Sequence, residues 1–357
     1  MARTADTEPM NPEGTQRALS PADETMTSRS SSALRASRGI VLRAVTSLPK
    51  WVWVVVGLLL IGSIVPFGGA ADVPESVGVG APFSRWVNDV VRWMVVTWDP
   101  FFSAINIGVL RYLLLPLERW LQGLPWWLAI GVVALIAYRI VGPTFSAVAV
   151  ALMLTVAVLG IFDLAMSTLA LVTVATLMCV ILGVPAGIVS ARSDRFDALL
   201  RPILDLMQTM PSFVYLIPML MLFGLGKVPA ILATVIYAVP PIIRLTNLGI
   251  RQVDSSVIEA ARAFGSTPNQ LLFKVQIPLA MPTVMAGLNQ TIMMALAMVV
   301  IAALIGAKGL GVEVFNGIAR LDVGRGLIGG IGIVVLAIIL DRITQGYARS
   351  QRARSAE

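Results

Sequence analysis

Long apolar blocks with uncharged centres dominate this chain and leave it few ways to fold. The run 166–190, for instance, holds no Asp, Glu, Lys or Arg. A charge at the centre of a bilayer span costs about 2.5–3.5 kcal/mol, enough to cancel roughly five to ten apolar residues. Such blocks therefore read as membrane-crossing helices. Composition agrees: 57% of residues are hydrophobic and 13% charged, with a mean hydropathy of +0.83. A soluble chain of 357 residues needs more charge to cover its surface. The expected fold class is an all-α polytopic membrane protein.

About eight spans are expected, at 51–67, 125–141, 144–163, 166–190, 202–225, 228–246, 283–306 and 326–342. Arg139, Asp163, Asp205, Arg244 and Asp341 all fall toward span ends. Basic residues mark the cytoplasmic side. Arg29, Arg35, Arg38, Arg43 and Lys50 precede the first block, Arg349, Arg352 and Arg354 follow the last, and 192–201 carries three arginines. The segment 68–124 has no basic excess and reads as external. Eight alternating spans put both termini and the loop 247–282 in the cytoplasm. Seven would place the basic N-terminal tail outside, so eight is preferred. Because the basic residues flank spans, the net charge of +7 is read as membrane anchoring and not as nucleic acid binding.

The chain divides accordingly into a tail at 1–50, a first span plus external segment at 51–124, a core at 125–345 and a basic cytoplasmic tail at 346–357. The tail 1–50 is polar, cannot bury a core and is expected to be disordered. The block 51–67 is longer than a usual signal core and follows a long polar stretch, so a retained span is expected. In 83–121, Trp86, Val90, Val91, Trp93, Met94 and Val95 interleave with Arg85, Asp89 and Arg92. That pattern is amphipathic, and packing on the outer face of the bundle is preferred to a separate lipid-binding role. There is no histidine, and the single cysteine, Cys179, lies within an apolar block. Without the commonest general base and neutral metal ligand, neither catalytic residues nor a metal site is expected.

The stretch 254–282 is the most informative part of the sequence. Ser256 and Glu259 fit a capping box, opening a short helix from Val257 to Phe264. Gly265 supplies a left-handed residue to end it. Thr267 as cap, Pro268 in the first helical position and Gln270 closing a second box start another helix, expected to run to about Gln276 and stop at Pro278. Ala260, Ala261 and Ala263 make a small face suited to close approach, and Val257, Ile258 and Phe264 are apolar anchors. On these grounds a docking element and an ordinary helix-turn-helix connection, with Glu259 serving only as a cap, stand equally.

The spacing Glu259-Ala260-Ala261, three residues, Gly265, nine residues, Val275-Gln276-Ile277-Pro278 resembles the EAA loop of ABC importer permeases. Val275 and Ile277 depart mildly from the aliphatic residues usual there. The resemblance implies a type I ABC importer permease-like helical bundle whose loop docks on an ATPase subunit through Glu259, Ala260, Ala261, the bend at Gly265 and the exit at Pro278. Asp205-Leu206-Met207-Gln208-Thr209-Met210-Pro211, Phe213, Tyr215 and Pro218, then Gly224 through Ala230, Pro240-Pro241 and Leu304 through Gly311 resemble the glycine betaine/proline betaine permeases across about 85–345. Choline and carnitine permeases rank second. For such a quaternary ammonium cargo, aromatic faces are the natural hosts, and Met210, Phe213 and Tyr215 beside Pro211 and Pro218 are the candidate path, with core packing as the alternative reading.

No Gly-x-x-x-x-Gly-Lys-Ser/Thr loop is present; Gly224-Leu225-Gly226-Lys227 is followed by Val228. The resemblance therefore implies no cofactor on this chain, ATP and Mg on a partner ATP-binding subunit in two copies, an external solute-binding protein, and a second permease copy. It also implies a multi-pass site in a bacterial plasma membrane. An ion-coupled secondary transporter is the main rival, and the absence of ionisable residues from the span centres weighs against it.

Overall fold

The computed structural model describes residues 54–57 and 79–356, with side chains from 350 onward excepted. The chain divides into two units, Met1–Gly80 and Ala81–Glu357. Within the first, 54–57 form a helical turn. The tail 1–50 and the rest of the expected span 51–67 lie outside the described residues.

The second unit is built from helices, with no strand among the described residues. Helix α1 (Gly80–Thr97) is amphipathic but has no buried residue. Phe83, Trp86 and Trp93 are all more than half exposed. The expected packing on the bundle's outer face is not seen for α1; its aromatic rings suit a membrane interface as well as a protein one. Next come α2 (Asp99–Gly108), a π turn (Val109–Leu114) and α3 (Leu115–Gly123). Together they make a 25-residue rod, long and apolar enough to cross a membrane. The sequence reading placed this stretch in the external segment. Its flanking Arg and Glu residues masked an apolar helix, because Glu118 is buried and paired (below) and costs the rod little.

Helices α4 (Trp126–Ile140) and α5 (Pro143–Val158) match two expected spans. At 15 and 16 residues they measure about 22–24 Å, short of a hydrocarbon core of about 30 Å. Then follow α6 (Phe162–Arg192), α7 (Asp194–Thr209), α8 (Ser212–Phe223) and α9 (Lys227–Arg251). The single span expected at 202–225 is instead the pair α7–α8, bent by 100°. Pro211 causes it: it holds Met210 extended (ψ 137°) and sits extended itself (ψ 135°) at the cap of α8. Pro218, within α8, does not break that helix. After a linking segment come α10 (Ser255–Ala263), α11 (Pro268–Gln270), a second π turn (Leu271–Gln276), α12 (Ile277–Ala302), α13 (Leu310–Arg320) and α14 (Val323–Ala356). Among the described residues five helices are long and apolar enough to cross a membrane, or six if α7–α8 count as one; the number eight is not reproduced.

Helix α9 is the axis of the bundle. Its most apolar stretch is 72% buried within the chain, against 17–50% for the other four spans. In a bilayer, helices associate through close van der Waals contact, which small residues permit. A Cβ built on Gly183 of α6 would lie 2.5 Å from Ile242, one on Gly187 2.6 Å from Thr246, and one on Gly287 of α12 3.1 Å from the Ile242 backbone. Helix α6 thus approaches α9 more closely than alanine allows, and α12 closely enough that alanine would be crowded.

At the end of the bundle where α9 begins, Lys227 Nζ donates to both carboxylate oxygens of Glu118 at 2.6 Å. Ser167 Oγ donates to Glu118 at 3.0 Å and receives Gln122 Nε2 at 2.7 Å. Glu118 is buried. Breaking one side of a buried pair leaves an uncompensated charge, at a cost of about 3–5 kcal/mol. Lys227→Met should therefore sharply lower the thermal unfolding midpoint of the detergent-solubilised protein. Glu118→Gln combined with Lys227→Met should recover most of the loss.

Candidate functional site

At the opposite end, α9 stops at Arg251 and the chain projects as two short helices before entering α12. Helix α10 is capped by Asp254, whose carboxylate accepts from the Ser256 N–H at 2.9 Å. This corrects the expected box between Ser256 and Glu259. A charged acceptor two residues upstream outcompetes the serine hydroxyl and starts the helix earlier. The Ser256 N–H also holds the Asp254 carboxyl below the usual carboxylate range. The cap is thus complete at neutral pH and is released only as pH falls through that lowered value. The correction frees Glu259: it is exposed and makes no hydrogen bond or ion pair with any described residue.

The far end of α10 closes as expected. Gly265 is left-handed at φ +81°. Its N–H bonds to the Arg262 carbonyl at 2.9 Å, and the Ser266 N–H bonds to that of Ala261 at 3.1 Å. This pairing is a Schellman motif. Two residues later the Thr267 box is present in full. The Gln270 N–H reaches Thr267 Oγ1 at 3.3 Å, and the Thr267 N–H reaches Gln270 Oε1 at 2.9 Å.

Pro278 does not stop the second helix. From Pro268 the helix runs without a break to Ile305, 38 residues in all. The π turn explains why. The Ile277 N–H bonds five residues back to the Leu272 carbonyl, so the carbonyl register shifts just ahead of the ring that an α-turn would have driven into it. The same device precedes Pro116, where the Leu115 N–H bonds to the Leu110 carbonyl. The loop's second leg is therefore the end of a span.

The knuckle is bare and its root is buried. Helix α10 has no buried residue, and Phe264 is 91% exposed, with Phe273 and Val257 also exposed. Below them Ile250, Leu272 and Ala280 form a small apolar cluster against Ile188, Ala191, Ile277 and Val284. Of the named loop residues, Glu259, Ala260, Gly265 and Pro278 are exposed and Ala261 is half-buried.

The three path candidates do not converge. Met210 packs on the core at the α7–α8 bend. Tyr215 is buried, and its hydroxyl donates to the Met207 carbonyl at 2.6 Å, pinning α8 to α7 across that bend. Only Phe213 presents its ring, at 56% exposure.

The family described as "Binding-protein-dependent transport system inner membrane component" matches residues 183–353, which include the whole knuckle. The glycine betaine/proline betaine transport system permease protein ProW of Escherichia coli (strain K12) is 50% identical over 273 residues, covering 76% of this chain and 77% of that protein. The glycine betaine transport system permease protein OpuAB of Bacillus subtilis (strain 168) is 42% identical over 284 residues, covering 76% of this chain and 96% of that protein. This chain belongs to the ProW/OpuAB family of ABC transport permeases. Among solved structures, the MetNI methionine ABC transporter aligns with a TM-score of 0.45 at 23% identity, over 52% of this chain and 92% of that chain.

Sequence reasoning missed a cluster beneath the knuckle of this permease: Ser190, Asp197, Asn247 and Arg251, drawn from three helices. The available signal was Asn247 and Arg251 four residues apart on the last turns of α9, opposite Asp194 and Asp197 on the first turn of α7.

A Cβ on Gly265 would meet nothing within 4 Å, so substitution there tests backbone strain alone. Gly265→Val should cost about 1–2 kcal/mol, and Gly265→Asn less. Amide hydrogen exchange over 255–270 should rise in that order; equal exchange in both variants would exclude the left-handed turn.

Proposed function

We propose that this chain is the membrane-spanning permease of an ATP-driven importer for quaternary ammonium osmoprotectants of the glycine betaine/proline betaine class. The observation that carries the mechanism is the knuckle itself. It is a doubly capped pair of short helices, with a free carboxylate at Glu259 and small residues at Ala260 and Ala261, and it runs directly into α12. Identity of 50% to ProW supports the substrate class.

A partner ATP-binding subunit supplies the energy, with ATP and Mg bound there. This chain receives the displacement at α10. Two permease copies present two knuckles to two ATPase subunits, and an external solute-binding protein delivers the cargo on the other side. Both termini and the knuckle face the cytoplasm in this reading, which the basic flanks support. Inside the bundle, Phe213 offers an aromatic face to a cation that has no N–H to donate. Tyr215 and Met210 shape the bend that places it.

The test is uptake of labelled glycine betaine into vesicles holding the permease, the ATPase subunit and the external binding protein, with choline and carnitine as competitors. Uptake should require ATP and be displaced best by proline betaine. Uptake driven by an ion gradient without the ATPase subunit would overturn the reading. Ala260→Trp should lower uptake about tenfold while the permease stays folded, because overpacking a fitted contact costs about 1–3 kcal/mol. Phe213→Ala should raise the KM for uptake, whereas Tyr215→Phe should act on thermal stability, by about 1 kcal/mol.

A further inference from the structure

Helix α7 is held to the bundle in an unusual way. Its only buried residues are Leu204 and Asp197. A carboxylate thus occupies a place where an apolar side chain would anchor the helix at less cost. Asp197 Oδ1 accepts from Ser190 Oγ at 2.6 Å and from Asn247 Nδ2 at 2.7 Å, while its other oxygen pairs with Arg201. Arg251, the last residue of α9, extends the cluster. It donates to Asn247 Oδ1 at 2.8 Å, to Asp194 Oδ1 at 2.7 Å and to the Ser190 carbonyl at 2.8 Å. Further along, Arg244 pairs with Asp205. The end of α6, the start of α7 and the end of α9 therefore meet in one hydrogen-bonded knot. A crevice of about 310 Å³ runs beside it, lined by charged residues that include Asp197, Arg201 and Arg251 and by Leu204, Ile243 and Leu248, so directional polar bonds supplement apolar contact between α7 and α9 there.

Position gives the knot its meaning. Helix α10 has no buried residue and packs against the π turn Leu271–Gln276, so a load placed on it leaves through that turn and through its two ends. One end turns at Gly265 into the helix that runs unbroken from Pro268 through α12. The other passes through Gln252, Val253 and Asp254 to Arg251. Glycine contacts hold α6 close against α9, but they do not reach α7, which the polar bonds tie to both. Hydrogen bonds of charged groups are directional and about twice as strong as neutral ones. We propose that the Ser190–Asp197–Asn247–Arg251 knot is the joint that carries displacement of the knuckle's first leg into α6 and α7, with Asp197 as its central positioning residue. Helix α7 then acts as a lever. Moved at its Asp197 end, it swings the 100° bend at Met210–Pro211 and with it the helix that bears Phe213.

The inference rests on the coupling role proposed for the knuckle, and the test separates the two. The complete transporter, with ATPase subunit and binding protein, is placed in liposomes. Glycine betaine uptake and ATP hydrolysis are measured together as molecules moved per ATP. Asp197→Leu and Asn247→Leu should each lower that ratio about tenfold while hydrolysis continues. The exchange D197N/N247D keeps a carboxylate facing an amide across α7 and α9 and should restore the ratio to within about threefold. Should Asp197→Leu fail to assemble, Asp197→Asn alone and its rescue by Asn247→Asp carry the test. An unchanged ratio in the assembled variants overturns the joint. So does a parallel fall of uptake and hydrolysis that the exchange does not restore, since that marks a purely structural contact. Gly265→Pro is the control. If it uncouples while the Asp197 variants do not, the joint alone fails. If it too leaves the ratio unchanged, the coupling role of the knuckle fails and the joint with it.

Discussion

The close approach of α6 and α12 to α9 is the contact on which the rest of the bundle depends. Lipid tails are as apolar as leucine, so burying leucine against leucine gains little in a bilayer, and helices must win their association through fit. Gly183 and Gly187 supply that fit at distances a methyl group would prevent, and Gly287 lets α12 approach to where a methyl group would be crowded. Gly249 does the same against Thr283 and Ala280 near the root of the knuckle. With α9 fixed on two sides, its ends become defined points in space: Lys227 at one end meets Glu118, and Arg251 at the other meets the polar knot.

Charge is distributed in keeping with that arrangement. The buried Glu118–Lys227 pair and the Asp197 knot each sit at an end of α9, where helix termini and connecting segments can supply donors. The middle of the bundle is left to apolar contacts and to threonines, of which Thr234 returns its hydroxyl to the Ala230 carbonyl at 2.7 Å. Buried charge is costly everywhere in a membrane protein. Placing it at the ends lets it fix orientation without burdening the span centres.

How much of this was legible in sequence depended on the range of the interaction. Gly265 and the Thr267–Gln270 box were readable because each is decided within three or four residues. The first cap was misplaced by two residues, since Asp254 and Ser256 both qualify locally and the choice is a competition between acceptors. Pro278 read as a stop and is not one: a π turn shifts the register upstream, which no local propensity announces. The segment 202–225 read as one span, and its 100° bend at Pro211 leaves α7 lying against α9 through residues some fifty positions apart. The knot around Asp197 was invisible for the same reason. Its members are unremarkable singly, and only the packing of three helices brings them within hydrogen-bond reach.

The asymmetry of the knuckle's two legs has a mechanical consequence. One leg has no joint: the capped start at Thr267 leads through the π turn and past Pro278 into a span that ends at Ile305. A π turn interrupts the regular ladder of an α-helix and is one of the places where helices kink, so bending of this leg is expected at Leu271–Gln276. Leu271 and Leu272 are buried at that point, which ties the compliant turn to the bundle while Phe273 beside it stays exposed. The other leg has a joint of three residues between Arg251 and α10, and beyond it the directional bonds of Arg251. A push on α10 therefore tilts α12 about a buried turn on one side and pulls on a hydrogen-bonded knot on the other. Since α12 and α9 pack through Gly287 and Gly249, the two responses are not independent. Tilting α12 moves the surface against which α9 is seated, and the knot decides whether α7 follows.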